Sequence, residues 1–339
     1  MQTKKPRKFP DINSIKANQV DIGASQVEIL PSITPFEYPI LFHAKDKYTL
    51  FSEWLKSNKP MVQDYLHRYG AILFRNFNMD IANSFREVVN AYGNEVMEYT
   101  LGAARRTKVV DNIYLSTHHP AAEDLEMHNE MSYASDWPIQ ILLYCDAPSP
   151  TGGETPLCDG RRLWEMLKPE TRARFEEKQV MYVRRLGGIF GGLTWQKVFQ
   201  TEDRAVAEQK CRESNMTYEW LDGDVLVMRW VKPATMRHPA TGDVAWFNHA
   251  FFFNSIMLNP EIRTTLKVED MPFYSYYGDG TEIEEEVLEE LSVAFKATKS
   301  AFRWEKGDML LVDNILLSHG RNAYTGDRKV LVAMFKSLN

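Results

Sequence analysis

The stretch EMHNEMSYASDWPIQILLYCDAPSPTGGET, residues 126–155, decides how the rest of the chain is read. At its centre His128 and Glu130 stand two apart, in a segment whose alternation sets Met127, Asn129 and Met131 against His128, Glu130 and Ser132. Extended backbone sends residues i and i+2 to one face, so an imidazole and a carboxylate can converge on one ion. Two ligands hold an octahedral ion poorly, and a third has to come from elsewhere. The apolar run LLVDNILLSHGRNAYTGDRKVLVAMF, residues 310–335, offers His319, 191 residues beyond His128, and then Arg328 nine residues further on.

A His-x-carboxylate pair completed by a distant His is the facial triad of non-haem Fe(II) sites, which leaves three coordination positions open. Beside it stand RYGAILFRNF (68–77), HNEMSYASDWP (128–138), GGETPLCD (152–159), WFNHAFFF (246–253) and HGRNAYTGDRKVLVAMF (319–335). On these segments the chain, from about Arg68 onward, resembles the Fe(II)/2-oxoglutarate oxygenases of the taurine dioxygenase and clavaminate synthase-like group. Within that group it is most similar to the syringomycin-type amino-acid β-hydroxylases.

The resemblance implies Fe(II) on His128, Glu130 and His319, with 2-oxoglutarate and O2 as cosubstrates. Glu130 stands where the family more commonly has Asp, a departure shared by clavaminate-synthase-like members, and it fills the position that a halogenase vacates for chloride. Arg328 corresponds to the family's arginine for the distal carboxylate of 2-oxoglutarate, which a guanidinium grips through two parallel charged hydrogen bonds. Lys329 is the competing candidate; parity favours Arg328, which shares a strand face with Val330 and Val332. Thr155 matches the threonine that hydrogen-bonds the same carboxylate in relatives, against the reading of an ordinary strand threonine.

For the substrate pocket the candidates are Asn112, Arg184, Arg185, Trp246, Asn248 and Phe335, each equally open to a reading as a barrel or surface residue. Trp246-Phe247-Asn248 carries the resemblance to the β-hydroxylase pattern WFN. Asn129, Ser132 and Tyr133 flank the ligands and are candidates to orient them. The pair His118-His119 reads as loop rather than a second metal site.

The activity so implied is oxidation of an unactivated C–H bond of an amino acid or amino-acid-derived small molecule, free or carrier-bound, in specialised metabolism. Hydroxylation comes first, with desaturation or oxidative cyclisation open to the same chemistry. The alternatives are a dioxygenase of the sulfonate or aryloxyalkanoate type, a cupin-like metalloenzyme that does not use 2-oxoglutarate, and a binding protein on a degenerate barrel. Arg328 and Thr155 speak against the cupin-like reading, and an intact triad speaks against the degenerate barrel.

The bounds agree. With 339 residues, 44% hydrophobic and 12% aromatic, the chain can bury a large core. A net charge of −6 gives no basic footprint for nucleic acid. Cys145, Cys158 and Cys211 have no metal-type spacing and suit reduced thiols, and no apolar run reaches membrane length, so a cytoplasmic enzyme is expected.

The pattern of short strands, with helices at the ends and in insertions, predicts a mainly β chain with flanking helices, a double-stranded β-helix of the jelly-roll type. It is read as one domain, 1–339. Residues 1–106 form an N-terminal wrapping segment with a strand and helices, and 107–339 the jelly-roll core with an insertion at about 160–300. Spacing around Pro60 predicts two short helices between Tyr48 and Tyr69. FRWEKGDMLLVDN reads as a hairpin turning at Lys306-Gly307-Asp308. Glycines 187, 188, 191 and 192 lack the residues of a phosphate cradle and suit an active-site loop.

Overall fold

The computed structural model describes residues 26–79, 84–93, 95–98, 107–117, 119–187, 193–254 and 267–336. Eight strands form the large sheet, in the order Val27–Leu30, Ile40–Ala44, Ala71–Arg75, Met309–Asp313, Gln140–Ala147, Lys329–Phe335, Ile113–Leu115 and Lys108–Val110. Only the pair Ile40–Ala44 with Ala71–Arg75 runs parallel. A smaller sheet carries Lys299–Ser300, Leu157–Asp159, Leu317–Arg321 and Leu125–His128. The two sheets make the jelly roll. A further four-stranded sheet, ordered Thr217–Leu221, Val225–Lys232, Val180–Leu186 and Phe273–Tyr277, is built from chain between Leu157–Asp159 and Lys299–Ser300.

The large sheet is buried on both faces, and its alternation sorts the two cores. Leu310 and Val312, Ile141 and Leu143, and Val330, Val332 and Met334 face the jelly-roll interior with Leu157 and Leu317. Met309 and Leu311, Leu142, and Leu331, Ala333 and Phe335 face the other way, onto Phe51, Trp54, Leu66 and Val88 of the helices Phe51–Tyr69 and Ser84–Tyr92.

Two local expectations are corrected. Residues 51–69 form one helix with Pro60 inside it, exposed to solvent. An interior proline costs about 3 kcal/mol, whereas Phe51, Trp54, Leu55, Val62 and Leu66 are all buried on the sheet. At about 1.5–3 kcal/mol for each such side chain the packing outweighs the proline. The segment around Gly307 does turn, but residues 302–305 before it form no strand: Lys299–Ser300, upstream, pairs with Leu157–Asp159 in the smaller sheet, and the arm Met309–Asp313 pairs with Ala71–Arg75 and Gln140–Ala147. Arg75 draws this arm in, through Nε and Nη2 bonds of 2.9 and 2.7 Å to the buried carboxylate of Asp308. Of the glycine cluster only Gly187 falls among the described residues. No helix among them is long and apolar enough to cross a membrane.

Candidate active site

His128 is the last residue of the strand Leu125–His128, and Glu130 sits in the turn that follows. His319 is the middle residue of Leu317–Arg321 and is the direct cross-strand partner of His128. One ligating atom from each of His128, Glu130 and His319 lies within 4.8 Å of the others. Nε2 of His128 stands 4.0 Å from Oε2 of Glu130, and the two imidazole centroids are 4.6 Å apart. Nδ1 of His128 lies 2.8 Å from the carbonyl oxygen of Glu126. A carbonyl can only accept, so Nδ1 carries the proton and Nε2 presents its lone pair to the gap between the three side chains. This is the tautomer that a metal ligand needs, and the donor set of two imidazoles and a carboxylate fits ferrous iron.

The neighbouring wall is aromatic. His249 lies with its ring 5.9 Å from that of His128, held by the hydroxyl of Ser132 2.7 Å from its Nδ1. Phe252 packs against both imidazoles, at 5.1 and 5.3 Å, and Tyr133 and Phe253 close the far side of His249 at 4.8 and 4.7 Å. Burial, and after it the nearby His128, holds His249 well below the usual histidine range, so it is neutral.

Arg328 and Thr155 come together on the interior side. Nε of Arg328 donates to the Gly153 carbonyl at 2.8 Å, and Nη2 approaches the Thr155 hydroxyl at 3.5 Å. Gly153, at φ 72°, makes this approach possible, because a side chain there would put its Cβ 2.9 Å from Cδ of Arg328. Trp304 donates its indole N–H to the same hydroxyl oxygen at 3.1 Å. A hydroxyl oxygen that accepts from two donors has its own proton free to donate elsewhere. Among the described residues no carboxylate pairs with Arg328, and burial, followed by the neighbouring Arg321 cation, pulls its guanidinium down to about 10. A half-buried cation left this way is stabilised when an anion reaches it. Lys329 points outward to a surface pair with Asp146 at 2.9 Å.

The family follows from a match along most of this architecture. Residues 33–334 match the model of the taurine catabolism dioxygenase TauD, TfdA family. The chain belongs to that family. It is accordingly an oxidoreductase, an iron- and 2-oxoglutarate-dependent dioxygenase acting on a small molecule. Among members of the family it is 33% identical over 277 residues to the dapdiamide synthesis protein DdaC of Enterobacter agglomerans, covering 80% of this chain and 84% of that one. It is 30% identical over 296 residues to a clavaminate synthase-like protein of Arabidopsis thaliana, covering 85% and 88%. The fold is similar to that of PvcB from Pseudomonas aeruginosa, with TM-score 0.55, 16% identity and coverage of 93% and 92%. It is also similar to AAD-2, solved with Mn(II) and N-oxalylglycine, with TM-score 0.52, 14% identity and coverage of 92% and 98%.

The substrate candidates part company. Trp246, 1% exposed, is packed between Trp164 and Phe175 at 6.2 and 5.0 Å and serves the core. Phe335 is wholly buried against Tyr92, on the sheet face turned away from the triad. Asn248 spends its side chain on the backbone of Ala234 and Ala250. Asn112 occupies the turn of the edge hairpin, beside Asp111 and its partner Arg86. Arg184 is buried with its guanidinium 4.9 Å over Phe273, which stacks on Phe253 and so on the aromatic wall; Arg185 lies on the other strand face, half-buried. His118 lies outside the described residues, and His119 pairs with Glu123 at 3.4 Å.

Several residues beside the site were not singled out by sequence: His249, Trp304, Arg321 and Asn314. Arg321 shares its strand face with His319, and its two terminal nitrogens donate to the carbonyls of His119, Pro120, Ala121 and Asn322, pinning the chain that leads into Leu125–His128. Its place two residues from His319 is a signal of period two that was available in the sequence.

Proposed function

We propose that this dioxygenase oxidises an unactivated C–H bond of an amino acid or amino-acid-derived substrate, free or carrier-bound, with hydroxylation as the leading outcome. In this reading His128, Glu130 and His319 hold the iron, and Arg328 and Thr155 hold the distal carboxylate of 2-oxoglutarate. The observation that carries it is the tautomer of His128, which turns Nε2 towards Glu130 and His319, beside a half-buried arginine that no carboxylate among the described residues pairs with.

Iron with 2-oxoglutarate and O2 supplies the oxidising power when bound. The chain's own residues do the rest. Arg328 offers a charged fork to the carboxylate, Thr155 adds its free proton, and Trp304 fixes the direction of that proton. The rings of His249, Phe252, Phe253 and Tyr133 exclude water beside the metal ligands and present one neutral imidazole to a polar group of the substrate. In the same reading Arg184, at the far end of the ring stack, would meet an anionic end of a longer substrate. Similarity to a dapdiamide synthesis protein supports an amino-acid substrate in specialised metabolism.

The test is a panel of proteinogenic amino acids, free and loaded on carrier protein, with Fe(II), 2-oxoglutarate and ascorbate, read by succinate formation and product mass. An oxygen-atom mass gain is expected, and a loss of two hydrogens marks desaturation or ring closure. Turnover with an alkylsulfonate or aryloxyacetate and none with the panel transfers the enzyme to the other substrate class.

A further inference from the structure

A second cluster of two imidazoles and a carboxylate lies among the described residues. His67 on the helix Phe51–Tyr69, His238 just after the strand Thr235–Arg237, and Asp313 at the end of Met309–Asp313 each bring one ligating atom within 4.8 Å of the others. The side chains of His238 and Asp313 are fully enclosed. Distance alone would make this a metal site, and the hydrogen bonds decide against it. The amides of Ala240 and Thr241 donate to Nδ1 of His238 at 3.3 and 3.1 Å. A ring nitrogen that accepts amide protons carries none, so the proton of the neutral ring is on Nε2, 2.9 Å from Oδ2 of Asp313. A metal at Nε2 needs the opposite tautomer, with Nδ1 donating outward.

Asp313 passes this order on. Its other oxygen accepts the amides of Ile315 and Leu316 at 3.0 and 3.1 Å, and its own amide donates to the Gly70 carbonyl at 2.8 Å. The turn so fixed presents Asn314, which has no exposed surface. Oδ1 of Asn314 accepts from the amide of Glu130 at 2.7 Å, and Nδ2 donates to the carbonyls of Glu130 and Pro138 at 3.0 and 2.7 Å. The Asn314 carbonyl in turn accepts from Nδ2 of Asn129 at 2.7 Å. The carboxylate residue of the triad is thus gripped at both its amide and its carbonyl by a single side chain.

We infer that His238, Asp313 and Asn314 are positioning residues for the metal centre: the imidazole orients the aspartate, the aspartate shapes the turn, and Asn314 sets the backbone that aims Glu130. The inference rests on the metal reading of the triad, and its test separates the two. Mn(II) binding is measured by calorimetry without oxygen on the full chain and on the variants Asn314→Asp, His238→Gln, His238→Leu, His67→Leu and His128→Ala, with the absorption spectrum of the Co(II) form recorded for each.

Asn314→Asp keeps the shape and the acceptor but loses both donated bonds. It should weaken Mn(II) binding by about tenfold to a hundredfold, the usual cost of disturbing groups that support metal ligands, and should alter the Co(II) spectrum. His238→Gln reproduces the donor towards Asp313 and the acceptor towards the two amides, and should bind like the wild type; His238→Leu should fall with Asn314→Asp. His67→Leu should leave one metal per chain unchanged. If the leucine variant of His238 does not fold, the contrast between Asn314→Asp and His238→Gln carries the test. Wild-type affinity and spectrum in Asn314→Asp would overturn the inference. So would a second Mn(II) equivalent that disappears in His238→Gln, since the cluster would then be a metal site. Mn(II) binding unaffected by His128→Ala would remove the triad reading, and the relay with it.

Discussion

The two clusters of two histidines and one carboxylate use the same residue types at the same spread, and differ in what the backbone offers to one ring nitrogen. At His128 a carbonyl faces Nδ1, which obliges the ring to turn a lone pair towards Glu130 and His319. At His238 two amides face Nδ1, which obliges the ring to turn a proton towards Asp313. The first arrangement invites a cation, and in the second the His238–Asp313 pair already holds a proton where an ion would sit. Counting ligand-type residues within reach therefore cannot tell a metal centre from a structural pair; the peptide groups around each imidazole can.

The sharpest way to break this contrast is to remove a histidine from the first cluster. His128→Ala or His319→Ala should abolish both retained iron and succinate formation, and metal analysis of the purified variant checks it. A variant that kept full iron content would move the centre elsewhere.

Next in size is Arg328→Ala. Losing a charged hydrogen-bonding partner costs about 1.5–3 kcal/mol, or roughly tenfold to a hundredfold in 2-oxoglutarate affinity, with Mn(II) affinity left alone. An unchanged affinity would pass the role to Lys329.

Chemical denaturation of the metal-free proteins should order the clusters the other way. His238→Leu strips a donor from the buried Asp313 carboxylate and should cost about 1–3 kcal/mol, whereas His128→Ala, which strips a donor from the neutral Glu126 carbonyl, should cost less. Equal losses would say that the two histidines carry similar structural weight.

The smallest effect is expected for Trp304→Phe. It keeps the ring and removes one neutral N–H, worth about 0.5–1.5 kcal/mol, so 2-oxoglutarate binding should weaken by roughly threefold to tenfold. If binding does not change, the Thr155 proton is directed without the indole.

Much of this was legible in the sequence because it depended on short-range periodicity. The nearness of His128 and Glu130 and the alternation that sends Val330, Val332 and Met334 to the jelly-roll interior are both found in the fold, whereas Arg328 precedes the strand and a register shift lies between Lys329 and Val330. Applied two positions past Ala333, the same parity would have turned Phe335 away from the site, onto the helix side of the sheet. Trp246 misled for a different reason: a motif position fixes a residue's place in the chain, not which neighbour claims its ring, and Trp164 and Phe175 come from other elements. The continuous helix through Pro60 and the grip of Asn314 on Glu130 were hidden because they follow from packing and from contacts 184 residues apart.

The cross-strand pairing of His128 with His319 bears on how the chain folds. A slip of one residue between Leu125–His128 and Leu317–Arg321 would send the His319 ring to the opposite face and dissolve the site. A bound ion favours only the aligned pairing, by RT ln(1 + [L]/Kd) for free metal at concentration [L]. A metal held there would act as a clasp on this pairing, favouring the register of a contact that closes a long loop.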